Sequence, residues 1–310
     1  MVRLDTFLTV LYVMVDDFCK SHLPEERRPG PAASLSRSEV VTLAIFSQWG
    51  RFRNQRDFYR FAKEKLLAAF PTLPHRSQFN RLVRRHRDTI DSFFLYLIEL
   101  LQARQFLYEV LDTSGIPVRN IKRRGTGWLA WMASIGWCTR LGWFNGFTLL
   151  LAANPDGAIT GFGFGEGSAK EQPLAETMLA LRHQIDPPIR SVGRPALGHY
   201  VVDAGFAGKP NHERWRLHYG AHVVCQPVHN RRDSPPWPKA LRRWLHSLRQ
   251  IVETVFGRLM EFFRLEKERP HSLAGFQANL VAKMVLHNFC IWMNKQMGRP
   301  PLAFADLLGW

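Results

Sequence analysis

Three acids in this chain stand where an acid is costly to place. Asp112 follows the apolar run FLYEVL, Asp203 follows YVV and precedes AGFAG, and Glu253 lies in RQIVETVFGRL, flanked by arginines. A carboxylate beside a core loses hydration unless a cation or strong donors accompany it. FLYEVLDTSGIPV reads as a strand ending near Asp112, because β-branched and aromatic residues give way there to Ser-Gly and Pro. HYVVDAGF reads as a short buried strand with Asp203 at its end. Strand ends of open α/β sheets are where ligand sites form. Glu253 joins the two aspartates through helical spacing: it adjoins the apolar stripe of Val252, Phe256, Leu259 and Phe263 and follows Arg249 by four residues. Carboxylates from two strands and a helix, with no compensating histidine motif, make a hard-oxygen set suited to Mg²⁺ or Mn²⁺. The competing readings are a turn-forming or salt-bridged Asp112 and an exposed Arg249–Glu253 pair. Asp156 reads as a turn residue and Glu176 as part of an exposed helix face.

Other chemistry-bearing patterns carry less. His218, His222, Cys225 and His229 are zinc-ligand types, but HYGAHVVCQPVH runs from a helix end into a strand, where alternation sends His222 and Cys225 to opposite faces. GFGFGEG follows a hairpin and lacks the lysine of a phosphate loop, so it reads as a strand end or bend. The tryptophans at 128, 131, 137 and 143 read as core and strand-packing residues.

These acids belong to a basic chain. Across 310 residues, 42 Lys+Arg oppose 26 Asp+Glu, leaving a formal charge of +16, so the surface attracts polyanions and nucleic acid leads the candidate partners. With 46% apolar and 12% aromatic residues the composition is that of a folded protein. The apolar runs LTVLYVMV and GWLAWMASIGWCT meet charges before they reach bilayer-spanning length, so no membrane partner is expected. The N-terminus reads as an amphipathic helix rather than a signal peptide. Cys19, Cys138, Cys225 and Cys290 lie far apart, which suits buried single thiols in a reducing cytosol.

The elements that must position the acids fall into an α/β pattern. Residues 1–105 show helical spacing throughout, with SRSE as a capping box from Ser36 to Glu39. PHRSQFNRLVRRHR carries Arg76, Arg81, Arg84, Arg85 and Arg87 with no acid, and its stripe of Phe79, Leu82 and Val83 turns the arginines outward, a face suited to phosphate contacts or to simple solvation. Beyond 105 three strands in series, two of them joined by the turn NPDG, are followed by helix, strand, helix, strand and helix. That order implies a mixed sheet flanked by helices. The expected organisation is a helical DNA-binding domain over 1–105, an α/β catalytic domain over 106–296 and a tail over 297–310. Further basic residues expected to touch DNA are Lys122, Arg123, Arg124, Arg231, Arg232, Arg242, Arg243 and Arg249.

LDTSGIPV, GFTLLLAANPDG, VVDAGFAG and RQIVETVFGRL, in that order, resemble the DDE transposases of bacterial insertion sequences. With LSRSEVVTLAIF, FYRFAKEKLLAAFPTLPHRSQFNRL and SLAGFQANLVAKMVLHNF, the chain is most similar to the nine-eight-two group, from about residue 34 to residue 290. The resemblance implies an RNase H-like catalytic core with Asp112, Asp203 and Glu253 as catalytic residues and metal ligands. Two Mg²⁺ or Mn²⁺ ions are implied, Asp112 bridging them and the other two acids each holding one. It also implies cleavage at the element's ends and transfer of the freed 3′-hydroxyl into target DNA. The implied partners are double-stranded DNA, as terminal inverted repeats and target, and further copies of the chain in a homodimer or larger assembly, in the bacterial cytoplasm at the nucleoid. Related families place tyrosine, arginine and lysine around the glutamate; Arg249 matches the arginine, whereas His246 and Met260 stand at the other two positions. The alternatives are a DNA-binding descendant without catalysis and an RNase H-like nuclease that cuts without joining.

Overall fold

Helical spacing dominates the N-terminal third, and side-chain caps at Ser36, Asn54 and His75 open three of its helices. The computed structural model describes residues 1–26, 33–122, 129, 131–183, 198–227, 237–267 and 269–310. In chain order it runs through β1 (Val2–Arg3), α1 (Leu4–His22), α2 (Arg37–Phe46), α3 (Gln55–Lys65), α4 (Arg76–Arg85), α5 (Arg87–Leu100), β2 (Glu109–Arg119) and β3 (Ser134–Cys138). It continues with β4 (Gly142–Ala153), β5 (Ile159–Glu166), α6 (Glu171–His183), β6 (His199–Val201), α7 (Lys209–Tyr219), β7 (His222–Val224), α8 (Lys239–Phe263), α9 (Leu273–Gln296) and β8 (Leu308–Gly309). Two compact units emerge: residues 1–97, 259–265 and 271–310 form one, and residues 98–258 and 266–270 the other. Among the described residues no helix is long and apolar enough to cross a membrane.

The first unit is helical. The SRSE capping box forms: the Glu39 amide donates to Ser36 Oγ at 3.2 Å and the Ser36 amide to Glu39 Oε2 at 2.6 Å, so two amides at the start of α2 are satisfied reciprocally. Aromatic rings fill the core, with Phe7 edge-on to Trp49 and Phe289. α9 is buried on nearly every side, which explains why its apolar residues follow no single stripe. Its fully buried Lys283 donates to Gln48 Oε1 at 2.8 Å, the kind of partner a buried ammonium requires. α4 buries Phe79, Leu82 and Val83 and leaves Arg76, Arg81, Arg84 and Arg85 exposed, as the sequence stripe predicts.

The second unit is built on a six-stranded mixed sheet in the order β3-β4-β2-β6-β7, with β5 also paired to β4. β2 pairs antiparallel with β4 along most of its length, from Val110↔Ala153 to Arg119↔Asn145. Its parallel pairing with β6 covers only Glu109↔Tyr200 and Val110↔Val201. β6 in turn runs parallel to β7. Helices flank this sheet, giving an RNase H-like fold. The NPDG turn between β4 and β5 is held by Asn154, whose Oδ1 accepts from the amides of Asp156 at 3.1 Å and Ala158 at 2.9 Å, while Gly157 takes a left-handed φ of 82°. α6 and α7 cover Leu111, Leu150, Tyr200 and Val202 with Ala175, Met178, Leu179 and Trp215. Arg182, near the end of α6, is buried against Glu109 at 2.6 Å and donates to the Tyr200 hydroxyl at 3.2 Å. Removing one partner of a buried pair strands a charge, at a cost of about 3–5 kcal/mol, so this contact fixes α6 against β2 and β6.

Two expectations change. The strand does not end near Asp112: β2 runs on to Arg119, because β4 supplies a ladder partner to the whole Ser-Gly-Ile-Pro stretch. Beyond Val110 β2 is partnered on one side only, the setting in which a strand tolerates Pro117. The tryptophans are not core residues: Trp131, Trp137 and Trp143 are 84%, 60% and 67% exposed, and Trp128 lies outside the described residues. β3 lies at the sheet's edge, and alternation buries the facing pair Gly136 and Phe144, which turns the next pair, Trp137 and Trp143, outward.

Candidate metal centre

The site forms where β2 loses its parallel neighbour. Val201 pairs with Val110, so the same register carried two residues further sets Asp203 across from Asp112. The chain does not continue as strand there; Ala204–Phe206 turn away as a short 3₁₀ helix, with Asp203 capping it through a 2.7 Å bond from the Gly205 amide to Oδ1. This break in a sheet is the crevice at which open α/β folds bind ligands. Leu111 faces the core under α6 and α7, and Asp112, next along, turns from it. The Asp112 carboxylate accepts from the Thr113 amide at 2.8 Å.

A third carboxylate arrives from α6. Asp112, Glu171 and Asp203 each offer one oxygen to a group whose members lie within 4.8 Å of one another. Glu171 opens α6 and accepts a 2.8 Å bond from the Thr113 hydroxyl. Its neighbour Gln172 clamps the helix start to the 3₁₀ turn, donating to Gly205 O at 3.3 Å and Ala207 O at 2.7 Å, and is itself held by Asn211 of α7 at 2.7 Å. Gly205 is a glycine for a local reason: a Cβ there would overlap Glu171 Oε2 and come within 3.0 Å of Asp203 Oδ1.

Charge in this cluster is not balanced. Arg249 of α8 places one Nη2 at 3.8 Å from both Asp112 Oδ2 and Asp203 Oδ2, too far for hydrogen bonds, and its buried Nε has no hydrogen-bond partner. One guanidinium faces three carboxylates, so the cluster keeps an excess of negative charge when all three are ionised. The Asp112 carboxyl is pushed up to about 7 by burial, with the Asp203 and Glu171 charges adding to the rise against the Thr113 amide and Arg249. Glu171 moves upward too, again through burial first and Asp203 second. A divalent cation would relieve this crowding. The three oxygens, within 4.8 Å of one another, would be near enough to share one cation. The all-oxygen donor set fits a hard cation.

The other expected residues are distributed as follows. Glu253 is exposed on α8, one turn beyond Arg249, with no ion pair to Arg249 among the described residues; it is not one of the three clustered acids. Lys122 and Arg243 are exposed and Arg242 is half-buried, while Arg123, Arg124, Arg231 and Arg232 lie outside the described residues. The Cys225 thiol donates to the Asp203 carbonyl at 2.9 Å, behind the centre. His222 stacks on His199 in the neighbouring strand, and His229 lies outside the described residues.

An RNase H-like sheet with three acids gathered at a strand end places the protein in the class of α/β proteins with a candidate divalent-cation centre. The family model of the Transposase DDE domain matches residues 110–289, more than half of the chain, and the chain belongs to that family. No curated protein and no solved structure matches the chain. The matched span contains Asp112, Glu171, Asp203, Arg249 and Glu253.

Proposed function

We propose that this chain is the transposase of an insertion sequence similar to the nine-eight-two group, cutting DNA at the element's ends and joining the freed 3′-hydroxyl to target DNA. The observation that carries this reading is the meeting of Asp112 and Asp203 at the break between β2 and β6, inside a domain of the DDE family. Two divalent ions, Mg²⁺ or Mn²⁺, supply the Lewis acidity that polarises the scissile phosphate and eases ionisation of the attacking hydroxyl. Asp112 and Asp203 would hold these ions, and Glu253 on α8 would be the further acid that the resemblance implies. Arg249 turns from the acids to the phosphate, where its planar guanidinium binds two oxygens at once. The exposed arginines of α4, with Lys122, Arg123, Arg124, Arg231, Arg232, Arg242 and Arg243, neutralise backbone phosphates and fix the duplex in register. Two ends must be joined in one event, which calls for a dimer or larger assembly on DNA, working at the bacterial nucleoid.

The test is incubation of the purified chain with Mg²⁺, a duplex carrying the element's end and a target plasmid. End nicking followed by joined products is expected, and neither should form with Asp112→Asn or Asp203→Asn. Nicking without joining would leave a nuclease, and DNA binding without either would leave a catalytically silent descendant.

A further inference from the structure

Resting on that metal-dependent reading, we propose that Glu171 is a metal ligand of the centre, and that DNA-free protein holds its ion through Asp112, Asp203 and Glu171 without Glu253. Four features of the fold converge on it. Its oxygen lies in the 4.8 Å group, whereas Glu253 is exposed to solvent. The Thr113 hydroxyl holds Oε1 at 2.8 Å and leaves the remaining lone pairs of the carboxylate for a cation. Gln172 and Arg182 pin the two ends of α6 through the 3₁₀ turn and the buried Glu109 pair, so the carboxylate is delivered by a rigid element. Gly205 keeps clear the volume that Oε2 occupies, and any side chain at 205 would displace it from beside Asp203.

A carboxylate at the head of a helix serves the helix by countering its dipole, and that role alone would place Glu171 outward toward water. Instead it is half-buried, and its bonding partner is a side chain on a strand rather than an amide of its own first turn. The position is therefore built for a ligand to which both α6 and β2 contribute.

The experiment is Mn²⁺ binding to the full chain without DNA, read from loss of the free Mn²⁺ paramagnetic resonance signal and repeated by calorimetry. The wild type is expected to bind, Glu171→Gln to bind at least about tenfold more weakly, and Glu253→Gln to stay within about twofold. Glu171→Asp, which keeps the charge but shortens the reach, should fall between wild type and Glu171→Gln, and circular dichroism melts of both variants report whether the fold survives. If Glu171→Gln melts early, the Glu171→Asp and Gly205→Ala affinities decide: both must weaken, and wild-type affinity in either overturns the inference. Wild-type affinity in a folded Glu171→Gln, or loss of the ion in Glu253→Gln alone, also overturns it. Asp112→Asn separates this from the broader reading. Undiminished binding there means that the ion is not at this centre, whereas lost binding in Asp112→Asn with retained binding in Glu171→Gln overturns the Glu171 inference alone.

Discussion

The first turn of α6 and the middle of α8 each carry a glutamate, and they do so under opposite constraints. Glu171 is held by the Thr113 hydroxyl, is half-buried and stands over a glycine that makes room for it. Glu253 is exposed and shares its helix face with Arg249, whose guanidinium has turned to the two aspartates. One helix brings a fixed anion and the other a cation with a free acid one turn behind it. The sequence resemblance implies the α8 glutamate as the third acid, whereas side-chain geometry groups the α6 glutamate with the two aspartates. On the proposed reading, the contrast separates two jobs: keeping an ion ready, and rearranging when the polyanion arrives.

The strongest way to break this contrast is to remove the acids common to both arrangements. Asp112→Asn or Asp203→Asn should reduce end cleavage by about 10³-fold or more, measured as single-turnover nicking in Mg²⁺. Residual activity within tenfold of wild type would mean that the cluster is structural. Next in size is the α8 cation. Arg249→Gln should bind Mn²⁺ several-fold more tightly, because a positive charge 3.8 Å from two ligands no longer opposes the ion, yet it should cut DNA more slowly. Weaker Mn²⁺ binding in this variant would mean that Arg249 holds the acids in place rather than competing with the ion.

A smaller effect follows from the raised Asp112 carboxyl. Burial raises it to about 7, well above the ordinary carboxylate range, so the folded state binds the proton more tightly than the unfolded chain does. Its contribution to stability is present at low pH and is lost as pH rises from about 4 through 7. Metal-free Asp112→Asn should therefore melt higher than wild type at pH 8, by about 2–4 °C for each kcal/mol relieved, and the gap should shrink toward pH 4. An equal gap at both pH values would remove burial of this acid as its cause. The smallest effect lies outside the comparison and serves as its control. Arg84→Ala and Arg85→Ala on α4 should each reduce the slope of log affinity against log salt by roughly 1, with Mn²⁺ affinity unchanged.

Asp112 and Asp203 were legible in the sequence because an acid directly after an apolar, β-branched run is costly and local. The capping box at Ser36, the NPDG turn and the outward arginines of α4 were legible for the same reason, since each is decided within a few residues. Glu171 was not. At the head of EQPLAETMLALRHQ it has the pattern of an ordinary N-terminal helix acid, and its company is set by a threonine on β2 and a glycine after β6, both distant in sequence. Gly205 directly beyond Asp203 was the one local hint. The extent of β2 was hidden too, because Ser-Gly and Pro are breakers that only pairing with β4 overrides. The outward tryptophans of the β3–β4 hairpin show the same limit: alternation predicts which residues share a face, but not which face is covered.

The Glu171 proposal has one ion gathered by three segments remote along the chain. Iron-directed backbone cleavage reads this directly: Fe²⁺ loaded in place of Mg²⁺, with ascorbate and peroxide, cuts the chain near the ion, and the fragments are located by mass spectrometry. Cuts clustered around residues 112, 171 and 203, suppressed by excess Mg²⁺, are predicted. Cuts at 112 and 203 accompanied by 253 rather than 171, or cuts confined to the segment holding His218, His222 and Cys225, would contradict it.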